Sequence, residues 1–265
     1  MTLALTAPRA RLDLNRMWHD APAFTGVAAF LTLATAPLLA AMALDDRLFQ
    51  GESVWIKPLK FHVALAIYLI TLAFFARFMP PTGRLWRGFV AAVCVAVLGE
   101  ILWIGGAASA QTASHFNIAS PLMNGLYALM GVFAVLLTSA SLVMGVAIHR
   151  NSALAPTLRL SLSLGLIATF VLTVIVAGTM SSNLSHFVGT STRTLPIMGW
   201  SRDAGDLRVA HFFATHALHA VPLVGLAASR MTLPQGRATV IAATAAYSAF
   251  VLALFVQALA GRPFL

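Results

Sequence analysis

A chain of 265 residues that is 59% hydrophobic and only 9% charged lies far from the roughly one quarter of charged residues in a soluble domain, which excludes a water-soluble fold. Its 17 Lys and Arg against 8 Asp and Glu give a net charge of +9. The basic residues sit in short segments between long apolar runs, a pattern that suits anionic lipid headgroups and argues against nucleic acid as a partner.

From the N-terminus, residues 1–21 carry Arg9, Arg11 and Arg16. Their only apolar stretch is too short for the core of a signal peptide, so a cytoplasmic tail is expected, with an interfacial helix built on Leu12, Leu14, Met17 and Trp18. Crossing the hydrocarbon takes about 20 apolar residues. Segments 22–44, 58–79, 87–108, 122–148, 158–180, 207–229 and 237–260 meet that length. They predict an all-α polytopic transmembrane bundle of seven helices, forming one domain over 22–260, with a short tail at 261–265. Pieces such as Pro80-Pro81-Thr82-Gly83-Arg84 and His149-Arg150-Asn151-Ser152 break the apolar pattern as loops do. The one cysteine, Cys94, lies in the third apolar run and rules out an intrachain disulfide or a thiolate iron–sulfur cage.

Alternate connections divide the Lys and Arg residues unevenly. Arg9, Arg11, Arg16, Arg77, Arg84, Arg87, Arg150, Arg159, Arg230 and Arg237 fall on one side, against Arg47, Lys57, Lys60, Arg193, Arg202, Arg208 and Arg262 on the other. The positive-inside rule then puts the N-terminus in the cytoplasm and the C-terminus in the periplasm or outside. Connections 45–57, 109–121 and 181–206 face outward in that topology. Ser-His-Phe occurs at 114–116 and again at 185–187, too short an echo to establish a repeat. Gly125, Gly131, Ser139 and Gly145 in the fourth segment suit close helix packing.

An ionisable group inside the hydrocarbon costs about 2.5–3.5 kcal/mol even on insertion scales, so each one is a functional candidate. Glu100 lies about eight residues, roughly 12 Å, below the outer end of the third segment. Lys57, Lys60 and His62 open the second segment, Lys57 and Lys60 flanking Pro58 in a first turn. A Lys60–Glu100 ion pair is expected if the two segments neighbour one another. The sixth segment holds Asp206, Arg208, His211, His216, His219 and Pro222. At 100° per residue its three histidines span roughly 140° of one helix surface, and Pro222 predicts a kink beside His219. Loop residues His115, His186 and Trp200 complete an outward-facing set, while the inner half is almost purely apolar.

Three uses of this set remain open. Imidazole and carboxylate suit a transition metal, with His115, His186, His211, His216 and His219 as donors, or a haem b held by His62, His211 and His216 with Trp200 beside it. In either form Glu100, Lys60, Asp206 and Arg208 would carry the reaction or hold an anion. Neither HExxH nor GxSxG nor a Gly-rich phosphate loop is present. A proton-coupled transporter would use Glu100 and the histidines as a relay and Lys60 and Arg208 as an anion site, and it predicts broken helices near mid-membrane. A metal-dependent hydrolase, or a sensor or assembly subunit with an outer pocket, needs the same residues and no helix break. Metal or haem binding with redox chemistry is the first expectation. The expected partners are the bilayer and a small-molecule ligand from the outer side.

Three stretches carry a family resemblance: Trp55-Ile56-Lys57-Pro58-Leu59-Lys60-Phe61, Ser114-His115-Phe116-Asn117 and Gly205-Asp206-Leu207-Arg208-Val209-Ala210-His211-Phe212. They resemble segments of a family of bacterial multipass, seven-helix inner-membrane proteins with no established activity. The resemblance spans most of the chain. It implies a bacterial inner-membrane location and brings no chemistry with it.

Overall fold

The structure, a computed structural model, describes residues 13–265, so Arg9, Arg11 and Leu12 of the predicted tail lie outside the described residues. The first element is α1 (Leu14–Asp20), capped by the Asp13 carboxylate, which accepts the Arg16 backbone N–H. Met17 turns into the bundle and is 1% exposed, whereas Leu14 and Trp18 stay outside. The expected interfacial helix is thus a strut against the bundle, with only part of its apolar face free for lipid.

Five long helices follow: α2 (Pro22–Leu44), α3 (Ile56–Phe75), α4 (Arg84–Ser109), α5 (Pro121–His149) and α6 (Pro156–Ser182). Proline opens α2, α5 and α6, where its missing N–H is one of the helix's unpaired donors in any case. Next come α7 (Leu207–Thr215), α8 (Ala217–Ala228) and α9 (Leu233–Leu259). Among the described residues six helices are long and apolar enough to cross a membrane; α7 and α8, bent by 44°, make up to seven if the pair is one span. Each predicted segment falls on an observed helix, but the sixth is not continuous.

The expected kink beside His219 lies instead at His216, six residues before Pro222. The cause is in α6. Thr169 Oγ1 accepts the Leu218 N–H at 2.8 Å, and the Thr169 hydroxyl donates to Gly165 O at 3.0 Å. A β-carbon on Gly165 would lie 2.8 Å from Pro222 Cδ and 3.1 Å from Ala217 O, so only glycine lets α6 and α8 approach this closely. The side chain of α6 thus takes over a backbone donor freed at the break, and the strand of backbone turns there rather than at the proline.

Close helix packing runs in sequence order, α2 with α3, α3 with α4, α4 with α5 and α5 with α6; α6 then packs with α7, α8 and α9. The main apolar core joins Phe24, Leu31, Leu69, Leu72, Met144 and Leu166 with Leu218 of α8. A second core joins Val176, Leu207 and Leu254. Two small hairpins cap one end: β1 (Leu48–Phe49) with β2 (Glu52–Ser53), and β3 (Phe187–Val188) with β4 (Gly205–Asp206). Gly205 is required where β4 crosses α9, because a β-carbon there would lie 1.9 Å from Ala258 O.

Candidate functional site

The three connections predicted to share one face do meet at one end of the bundle. Arg47 Nη1 donates to Ser109 O at 2.8 Å and Gln111 Nε2 to Leu48 O at 2.8 Å, which joins 45–57 to 109–121. The ring of Phe116 lies 6.2 Å from that of His186, which joins 109–121 to 181–206. His115 and His186 therefore stand at the same end of the molecule.

Arg208 anchors the third connection. Asp206 caps α7 by accepting the Arg208 N–H, and its carboxylate holds the Arg208 side chain through Nη2 at 2.7 Å and Nε at 2.9 Å. The same carboxylate accepts the Ser201 N–H at 2.9 Å. Arg208 Nη2 also donates to Gly199 O, and its guanidinium lies 4.8 Å above the Phe187 ring. Lys60 reaches the same spot from α3, with Nζ 3.5 Å from Met198 O and 3.9 Å from Glu52 Oε2. A β-carbon on Gly199 would lie 3.6 Å from both Lys60 Nζ and Arg208 Nη1, and 2.9 Å from Glu52 Oε1. Gly199 thus sits between two cations and one carboxylate, and its φ of +71 is the left-handed backbone that favours glycine there.

The loop that carries Gly199 is a pinned hairpin. Leu195 N donates to Trp200 O at 2.8 Å, Thr194 bridges Ser201, and Asp203 accepts from both the backbone and the hydroxyl of Thr192. Those bonds from Thr192 hold the Asp203 carboxyl down to about 2. At its tip Met198 N bonds back to Pro196 O at 2.7 Å, which forces Ile197 to φ +66, a strained conformation for a β-branched residue.

Inside this rim lie Lys57, Glu100 and His115. Glu100 is 2% exposed and its Oε1 has no hydrogen-bond partner among the described residues. The expected Lys60–Glu100 ion pair does not form: the charge acting on Glu100 is Lys57, while Lys60 is taken by Glu52 and the 198 carbonyl. His115 Nδ1 lies 3.1 Å from Ser114 Oγ, and its ring packs 5.7 Å from Phe61. Burial first, and the Lys57 ammonium second, push the His115 imidazole down to about 3. His186 packs on Phe187 at 4.1 Å. Burial, then Arg208 and Lys57 against an opposing Asp206, take it down to about 4. Both rings are therefore neutral at pH 7, His115 bonded to Ser114 and His186 held by its ring contacts with Phe116 and Phe187.

A second group sits at the helix break. His216 Nδ1 lies 3.1 Å from His219 Nδ1, and His219 Nε2 lies 2.9 Å from Thr71 Oγ1 of α3. Because the Thr71 hydroxyl donates to Ile67 O at 2.8 Å, it accepts from His219 Nε2–H. His219 Nδ1 is then the acceptor for His216 Nδ1–H, and the lone pair on His216 Nε2 is the open end of the chain. The other candidates stand apart. His62 is buried and lies 2.8 Å, through Nδ1, from Pro58 O of its own helix. The His211 side chain makes no hydrogen bond or ring contact among the described residues, and Trp200 packs on Phe212 and Phe264.

The predicted donor set is thus divided, with His115 and His186 at the capped end, His216 and His219 at the helix break and His211 in neither group, and no group of three or more His, Cys, Asp or Glu side chains among the described residues is placed to hold a metal ion. Sequence reasoning missed Glu52, Thr71, Ser114 and the carbonyls of Met198 and Gly199. Only Thr71 left a signal, being eleven residues from Lys60 and so on the same face of α3. No family model, no curated protein and no solved structure matches the chain.

Proposed function

We propose that this multipass membrane protein is a transporter that binds an anion, a carboxylate or a phosphate, at Lys60 and Arg208 and moves it together with a proton. The observation that carries this reading is the break of α7 and α8 at His216, which places a histidine chain below two converging cations. A broken helix with a charged group at its outer half and hydrogen-bonding groups at its gap is the arrangement transporters use to bind near the membrane midplane. Glu100, buried with an unpaired oxygen, and the His216–His219–Thr71 chain are the proton-handling groups. The haem and metal reading draws no support from the donor geometry. In this proposal the protein lies in a bacterial inner membrane, with the site open to the outer face.

The test is acidification of vesicles that contain the protein and a trapped pH-sensitive dye, under an inward proton gradient. Succinate, inorganic phosphate and octyl phosphate are added outside in turn. At least one is expected to speed acidification several-fold over protein-free vesicles, with Lys60→Gln and Arg208→Gln returning it to the background. Equal rates with and without protein for all three would sink the proposal.

A further inference from the structure

The hydroxyl of Thr71 decides where each proton in the histidine chain sits. It donates to Ile67 O at 2.8 Å, so toward His219 Nε2, 2.9 Å away, it presents only lone pairs. His219 must then carry its proton on Nε2 and accept at Nδ1, and the 3.1 Å contact between the two Nδ1 atoms obliges His216 to donate there. The reversed chain would set two lone pairs against each other at the Thr71 contact unless the hydroxyl gave up Ile67 O. Nothing else biases the pair. Among the described residues no ionisable group but His216 acts on His219, and none acts on His216. Thr169 of α6 is bonded to Leu218 N, the Tyr247 hydroxyl of α9 is given to Phe213 O, and Asp206 and Arg208 hold one another further up α7.

We propose that Thr71 is a positioning residue which, through His219, makes His216 Nε2 the one atom at which the chain takes up and releases a proton. A proton from water that reaches Nε2 forms one N–H bond there and makes an imidazole–imidazolium pair. The proton between the two Nδ1 atoms can then shift toward His219 with no hydrogen bond lost. It goes no further. His219 Nε2–H points at Thr71, which could take that proton only by passing its own to the Ile67 carbonyl, and a carbonyl cannot keep it. A second proton is refused as well, because it would oppose two N–H groups and two charges across 3.1 Å. The chain therefore stores one proton and does not conduct it. His216 is also the joint of the 44° bend, so a proton bound and released at the same atom crosses the membrane only by a movement at that joint.

This inference deepens the proton half of the transporter proposed above, makes no use of the anion site, and is tested so that the two can fail separately. The full chain, labelled with ¹⁵N-histidine in lipid nanodiscs, is followed by NMR, the resonances being assigned by their loss in His216→Gln and His219→Gln. At pH 8 His216 is expected in the Nδ1–H form and His219 in the Nε2–H form, each to about nine-tenths or more. Thr71→Val removes the bias and should bring the His216 Nδ1–H form down to about half, since both orientations of the chain then leave one ring end bare; Thr71→Ser should restore it. On acidification the pair should take up one proton, at His216 Nε2. His216 with its proton on Nε2 at pH 8, or tautomers unmoved in Thr71→Val, would overturn the positioning role. Uptake of two protons in one step would overturn the single store. Vesicles that acidify faster than protein-free ones with no anion present would show a conducting path and overturn the closed end. The expected tautomers and single proton, with no acidification driven by any anion, would leave Thr71 in its role and remove the transporter.

Discussion

His115 shows how a loop residue is made part of the interior. Its imidazole is pushed to about 3 by burial and by Lys57, whereas in the unfolded chain it titrates near pH 6.5. As pH falls below about 6.5 the unfolded state takes up a proton that the folded state refuses, so stability is complete above that pH and declines until both forms are protonated near pH 3. At pH 5 the loss from this one group is about 2 kcal/mol. His186, held at about 4, works in the same direction over pH 6.5 to 4. Thermal midpoints measured from pH 7.5 to 5 should therefore drop, and His115→Gln should flatten the decline; an unchanged slope in that variant would show that the ring is not shielded as described.

Glu100 could be singled out from the sequence because a carboxyl in an apolar run is conspicuous whatever its neighbours. Its partner could not. Depth along a helix follows from residue spacing, but which of Lys57 and Lys60 faces Glu100 depends on how α3 is rotated against α4, and that rotation is set by the burial of Leu65, Leu69 and Leu72. The hairpin around Gly199 takes Lys60 away as well, through carbonyls that any sequence would supply.

At the scale of elements, six helices were readable from length and hydropathy alone, with mean hydropathy between 1.9 and 2.4 in their central windows. The break in the other span was not, because its cause lies in Gly165 and Thr169, some fifty residues away. Two predictions follow from that contact. Thr169→Val keeps the shape but leaves the buried Leu218 N–H without an acceptor, which costs about 1–3 kcal/mol; Thr169→Ser should recover most of it in thermal unfolding. Gly165→Ala drives a methyl into Pro222 and the 217 carbonyl and is expected to destabilise by about 1–3 kcal/mol. Gly178→Ala, on the same helix with nothing within 4 Å of the new carbon, should be neutral or slightly stabilising.

For the whole molecule, the convergence of three connections at one end was legible from the alternation of apolar segments and loops, and the shared end of His115 and His186 agrees with it. The separation of His115 and His186 from His216 and His219 was not, since helical spacing orders residues along one axis and says nothing of how far α3 stands from α8. The arrangement is testable in closed vesicles. With the buried Cys94 replaced by alanine, His115→Cys and His186→Cys should both react with a membrane-impermeant maleimide from the same side. Labelling from opposite sides would break the site apart.

The broken span also bears on how the chain enters its membrane. At nine and twelve residues, α7 and α8 are each well short of the roughly 20 residues that cross a bilayer alone, and both rest on α6 and α9. As the nascent chain emerges, this stretch has only one of its two supports until α9 has been synthesised. The expected consequence is that the segment settles across the bilayer only once α9 has joined it, so truncation ahead of residue 233 should leave it at the headgroup surface, as membrane-impermeant labelling of cysteines placed in it would show.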